Sequence, residues 1–275
     1  MDRRLWPANT RVASVSLQGQ IENVDFVSGT ARQAASSVVD LLSAPDGARD
    51  RQLQMGDGFT VFEDRDGWSF GQTKRDGYCG YVRSSTLVDQ MDVTHTVAAR
   101  ATHLYTQEDF KSPEKASLSF GAKLKLVDER HKFFETQDGL FVPKKHVRPV
   151  EHRFSDPVNI AQLHFGAPYL WGGNSSFGID CSGLIQAALL ACGIACPGDS
   201  DMQKDGLGKD ISEGDPLQRG DILFWKGHVG MMVDADTLIH ANAHHMAVAY
   251  EPIMAAIIRI EAQGDGPVTA RKRLA

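Results

Sequence analysis

Apolar and polar residues alternate in short runs through the first half of the chain. Residues 38–82 read VVDLLSAPDGARDRQLQMGDGFTVFEDRDGWSFGQTKRDGYCGYV, and residues 97–142 read VAARATHLYTQEDFKSPEKASLSFGAKLKLVDERHKFFETQDGLFV. A period of two with Gly and Asp punctuation predicts small antiparallel sheets. The two stretches share an order of features. Gly56 precedes FTVFED as Gly121 precedes LKLVDE, and Asp76-Gly77 precedes YCGYV as Asp138-Gly139 precedes LFV. Two copies of roughly 50–60 residues predict two small β-barrels.

The pattern changes near residue 150. Pro149 and Pro157 bracket a polar segment, EHRFSD, suited to a linker. VNIAQLHFG predicts a short helix ending at Gly166. Leu184, Ile185, Ala188, Leu189 and Cys192 then recur at helical spacing, with Asp180 as N-cap and Gly193 as stop. Residues 220–252 predict short strands joined by tight turns. The expected organisation is an extension at 1–30, sheet domains at 31–90 and 91–150, and an α+β domain at 151–275.

Composition narrows the function classes. Of the 275 residues 42% are hydrophobic, enough for real cores. A net charge of −6 gives no reason to expect nucleic acid or an anionic membrane as partner. No apolar run follows the basic residues of the N-terminus, and the longest apolar stretch, 187–196, is about half a bilayer span. The expectation is a soluble, cytoplasmic protein. Four cysteines form no disulfide framework, and Cys192 and Cys196 lack a second ligand pair at zinc spacing. No metal or other cofactor is expected. The triplet Arg271, Lys272, Arg273 reads as a solvated tail.

Candidate chemistry gathers around GIDCSGL, residues 178–184. If Asp180 caps the helix, Cys181 lies in its first turn, where unpaired amides and the positive dipole end favour a thiolate or a developing oxyanion. Gly183 would keep the approach open. His228 begins the run HVGMMV and His240 ends the run TLIH, each at the tip of an apolar strand. In this reading His228 exchanges the proton with Cys181 and His240 orients its ring, the papain arrangement with histidine in third place. Taken singly, a cysteine at a helix start is a small buried hydrophobe and a strand histidine is a packed polar group. Only their combination points to a nucleophile.

The motifs PYLWGG (168–173), GIDCSGLIQ (178–186), P-x-D-S-x-x-Q (197–203), RGDILFW (219–225), HVGMMV (228–233) and LIHA (238–241) resemble the NlpC-type cysteine peptidases of bacterial cell-wall peptides. The first half resembles bacterial SH3-like domains, with Gly67-Trp68 and a terminal Gly-aromatic-Val. The architecture is similar to the murein-recycling dipeptidyl-peptidase type of that family. The resemblance implies a papain-like α+β domain, its Cys helix packed on an antiparallel sheet, preceded by two small SH3-like β-barrels. It implies hydrolysis of γ-D-glutamyl–diamino acid bonds in murein-derived peptides with a free N-terminal L-Ala. Cys181, His228 and His240 match the catalytic positions. Tyr169, Asp180, Ser182, Asp199 and Ser200 match substrate-contacting positions. The first SH3-like domain would close one end of the cleft, with Tyr78 and Asp57 as the tyrosine and the amine-binding acid. Gly198 stands where many relatives have Arg, and Cys79 where many have Pro. A thiol acyltransferase or amidase and a non-catalytic wall-binding protein are the competing readings. The preferred diamino acid, the oligomeric state and the role of the second SH3-like domain stay open.

Overall fold

Alternation in the first half becomes antiparallel sheet. In the strand Gly58–Arg65 the side chains of Phe59 and Val61 turn inward to join Val39, Leu41, Leu53, Tyr78 and Val82 in one core. In the computed structural model, which describes residues 2–274, seven strands lie side by side in one sheet. Their order is Arg49–Gln54, Val38–Leu42, Cys79–Arg83, Trp68–Thr73, Gly58–Arg65, Thr30–Ala34 and Leu87–Asp89, with every neighbouring pair antiparallel. Residues 95–149 form a five-stranded and a three-stranded sheet around Val97, Leu104, Leu118, Leu124, Val142 and Val147.

The two stretches repeat a topology as well as a pattern. Gly56 and Gly121 turn the chain at matching points, as do Gly77 and Gly139, all with positive φ. Each copy then runs through a strand, a short 3-10 turn (Ser84–Thr86 or Lys144–His146) and a last strand of three residues. The N-terminal extension is pinned to the first sheet through ion pairs of Arg3 with Asp50 and Arg11 with Glu63.

The chain divides into two compact units, Met1–Glu151 and His152–Ala275. Among the described residues the second holds four α-helices: α1 (Pro157–Leu163), α2 (Cys181–Ala191), α3 (Ser200–Gly206) and α4 (Ile253–Ile260). Its six-stranded sheet has the order Lys209–Asp210, Ala270–Arg273, Ile222–Trp225, His228–Met232, Thr237–Asn242, Ala247–Pro252. All of its pairings are antiparallel. Helix α4 packs Ile253, Ala256 and Ile260 against Leu223, Trp225, Met232 and Leu238 of that sheet. Among the described residues no helix is long and apolar enough to cross a membrane.

Two expectations need correction here. The triplet Arg271–Arg273 is a strand, not a solvated tail: it pairs with two neighbours, and Arg273 makes a bidentate ion pair with the buried Asp221. The unpaired acid would otherwise be stranded in the interior, so the terminal strand is held by charge as well as by its ladder. Helix α2 also lacks a polar face over its first turns. Ser182, Gly183 and Gln186 are buried with Leu184, Ile185, Ala188 and Leu189, so the apolar stripe is part of a helix enclosed on all sides there. Gln186 makes this possible by accepting from Asn174 and donating to the carbonyl of Cys196.

Candidate active site

Asp180 builds the start of α2. One carboxylate oxygen accepts from the Gly183 amide at 2.6 Å and from the Ser182 hydroxyl at 3.0 Å; the other accepts from the Gly172 amide at 3.0 Å. This one acid caps the helix and ties it to the PYLWGG loop. Cys181 is the first helical residue and is 6% exposed. Its thiol reaches toward the carbonyl of Gly227 at 4.0 Å, which puts the sulfur beside the residue preceding His228.

The histidines owe their meeting to strand register. Trp225 pairs with His228 across a two-residue turn, Lys226-Gly227, with Gly227 at positive φ. Met231 faces Ile239 and Met232 faces Leu238 on the next strand, and His240 faces Ala249 on the one after. Side chains alternate along each strand, so this register puts His228, His240 and Glu251 on one face, diagonal to one another. His228 Nε2 lies 2.9 Å from His240 Nδ1, and His240 Nε2 lies 3.1 Å from Glu251 Oε2. Arg259 of α4 closes the chain, donating from Nε to Oε1 at 2.9 Å and from Nη2 to Oε2 at 2.7 Å.

Burial sets the charge states. It is the main force pulling the half-buried His228 down to about 3, with His240 and Arg259 adding to it and Glu251 opposing. The fully buried His240 is also lowered by burial, against the pull of Glu251. Burial alone would raise Glu251, but its bonds to Arg259 and His240 outweigh that and hold it well below the usual carboxylate range. The chain is therefore two neutral imidazoles on an ionised acid. Tyr169 is half-buried; desolvation, then the charges of Cys181 and Asp180, push its phenol up, so it stays a donor beside the thiol.

Residues 166–259 match the NlpC/P60 family, and residues 41–87 match the bacterial dipeptidyl-peptidase SH3 domain. Residues 166–259 form an NlpC/P60 domain. The chain is similar to the gamma-D-glutamyl-L-lysine dipeptidyl-peptidase of Bacillus subtilis (strain 168), 31% identical over 60% of this chain and 60% of the relative. A second protein of that name, from Bacillus cereus, is 23% identical over 90% of this chain and 83% of its own length. The dipeptidyl-peptidase 6 of Lysinibacillus sphaericus is 38% identical over 34% of each chain. The crystal structure of an NlpC/P60 family protein from Bacillus cereus superposes with a TM-score of 0.74 at 19% identity, over 89% of this chain and 99% of that one, and so shares the fold.

Within the NlpC/P60 domain, the structure brings Cys181, His228 and His240 to one end of α2 and its neighbouring strands. Asp180 and Ser182, expected to touch substrate, are 7% and 5% exposed and are engaged with each other. Their observed work is to shape the helix start. Asp199 and Ser200 are half-buried where α3 begins. Gly183 does more than leave space for a substrate: a Cβ there would sit 2.4 Å from the carbonyl of Gly173.

Asp57, in the other unit, does not fit the part of an amine-binding acid. It is 4% exposed, its oxygens lie 2.7 Å from Lys123 Nζ and 3.2 Å from Arg75 Nη1, and it accepts from the Gln54 amide. Two cations already neutralise it, so an incoming ammonium would have to displace one. Tyr78 is 2% exposed within the core of the first sheet.

The sequence reading missed Glu251 and Arg259. The available signal was a single acid in the strand AVAYEP and a single base in the helix IMAAIIRI. His240, His245 and Glu251 carry potential ligand atoms within 4.8 Å of one another, but Arg259 occupies both oxygens of Glu251. A guanidinium already fills the place a cation would take.

Proposed function

We propose that this chain is a cysteine endopeptidase that hydrolyses the γ-D-glutamyl–diamino acid bond of murein stem peptides bearing a free N-terminal L-Ala, as part of cell-wall peptide recycling. The observation that carries this reading is the bond between His228 and His240, with Cys181 at the helix start beside Gly227. The names of the dipeptidyl-peptidase relatives supply the substrate class.

In this mechanism neutral His228 takes the thiol proton as Cys181 sulfur attacks the γ-carbonyl carbon. The first amides of α2 and the Tyr169 hydroxyl face the developing oxyanion. Collapse breaks the C–N bond, and protonated His228 returns its proton to the departing amine. Water, deprotonated by the same ring, then cleaves the thioester and releases the dipeptide. Asp199 and Ser200 act as substrate contacts beside α2. Residues 91–150 act as a second SH3-like module, a reading supported by the repeated turns and 3-10 segments.

The test is mass spectrometry of the products of L-Ala-γ-D-Glu-diaminopimelate and its L-Lys counterpart, with and without an acetylated N-terminus. The reading requires L-Ala-D-Glu and the diamino acid from the free-amine peptides. Cleavage of the L-Ala–D-Glu bond instead, or no cleavage, would remove it.

A further inference from the structure

We infer that the pair formed by the buried Glu251 and the half-buried Arg259 is a positioning device that locks both histidines into the tautomer that leaves His228 Nδ1 bare. The inference rests on the reading of Cys181, His228 and His240 as catalytic, and adds two residues to it.

Arg259 offers only donors, and it uses two of them on Glu251. Glu251 is thereby kept an ionised acceptor, so His240 Nε2, 3.1 Å away, must carry the proton that joins them. A neutral His240 then has a bare Nδ1 that can only accept. His228 Nε2, 2.9 Å from it, must donate. The one nitrogen left without a proton is His228 Nδ1, the atom a general base needs.

Arg259 has a second task. A bare carboxylate at this distance would draw a second proton onto His240. His240 Nδ1 would become a donor, His228 Nε2 would have to accept, and the proton of neutral His228 would move to Nδ1. Balancing Glu251 with a guanidinium lets the acid steer His240 without charging it. The charged and titratable groups around His240 are His228 from the neighbouring strand on one side, Glu251 from the strand on the other, Arg259 from α4 and His245 from the following turn, its ring centroid 6.5 Å away. None but Glu251 is an acid. The Asn242 side chain approaches His240 through its carbonyl alone and accepts from the amide of His245, whose ring Nδ1 lies 3.0 Å from the same oxygen.

The direct test is long-range 1H–15N correlation on histidine-labelled wild-type protein at neutral pH, read without turnover. The expected spectrum has Nε2–H and bare Nδ1 in both rings; Nδ1–H in either ring overturns the inference. The second test uses Arg259→Gln and Arg259→Lys. In Arg259→Gln the acid limb of the kcat/KM profile moves to higher pH by about one unit or more, and in Arg259→Lys by less, with KM nearly constant in both. A folded Arg259→Gln protein with an unmoved acid limb also overturns it. If that variant does not fold, the wild-type spectrum decides. Loss of turnover in Cys181→Ala tests the underlying peptidase reading and leaves the ring-nitrogen shifts to be read independently.

Discussion

His228 and His240 meet nitrogen to nitrogen at 2.9 Å because register sets them diagonally across neighbouring strands. His240 itself is fully buried, so it can touch a substrate only through His228. Replacing His240 with Ala should lower kcat by about a hundredfold while KM changes little, because general-base steps contribute roughly 10²–10⁴. Steady-state kinetics on the tripeptide checks this. A rise in KM at constant kcat would mean that His240 serves binding instead.

The charge states imply acid sensitivity. His228 has a folded pKa of about 3 against an ordinary 6.5, and His240 is lowered as well. Their neutral forms therefore add stability above pH 6.5, which is lost as the pH falls from about 6.5 toward 3. Glu251 is also depressed, and it adds a loss of the same sign below its ordinary 4.5. Denaturant unfolding of the protein should show stability falling through this window, more shallowly in a His228→Gln, His240→Gln double variant. Equal slopes in the two proteins would contradict these charge states.

Asp57 should behave as a structural acid. Asp57→Ala removes the buried acid that Lys123 and Arg75 share and leaves Arg75 with the Gln52 carbonyl and Asp76. The expected loss is about 2–3 kcal/mol, below the range for a wholly buried pair because Lys123 is 34% exposed. The ratio of turnover of free-amine to N-acetylated peptides should stay unchanged. A selective loss for the free-amine peptide, with stability intact, would restore Asp57 to the amine site.

Gly183 should tolerate no side chain. A methyl there would sit 2.4 Å from the Gly173 carbonyl and 3.0 Å from the Asp180 carboxylate. Gly183→Ala should cost about 1–3 kcal/mol by overpacking and should lower kcat by disturbing the helix start that carries Cys181. Thermal unfolding and kinetics on one preparation measure both. Full activity with unchanged stability would show that the loop simply yields.

The parts of the site written in local chemistry were legible in the sequence. Asp180 before a helical pattern marked the cap, and apolar strands ending or starting in histidine marked His228 and His240. What was not legible depends on register and long-range pairing. Glu251 joins His240 only once residue 240 is known to face residue 249, and Arg259 only once α4 docks on the same face. Asp57 read as an available acid because Lys123, its partner, lies 66 positions away. The basic C-terminus read as solvated because the acid that holds it, Asp221, lies 52 positions upstream. The α2 stripe read as amphipathic because no periodicity reveals that Gln186 finds buried partners.

The most direct test of the central claim is release of L-Ala-D-Glu from the stem tripeptide by Cys181→Ala protein, measured beside wild type with folding verified by circular dichroism. The expected result is a fall of about 10⁴-fold or more, to the background of the assay. Dipeptide release within tenfold of the wild-type rate would mean that the sulfur of Cys181 forms no bond to the substrate.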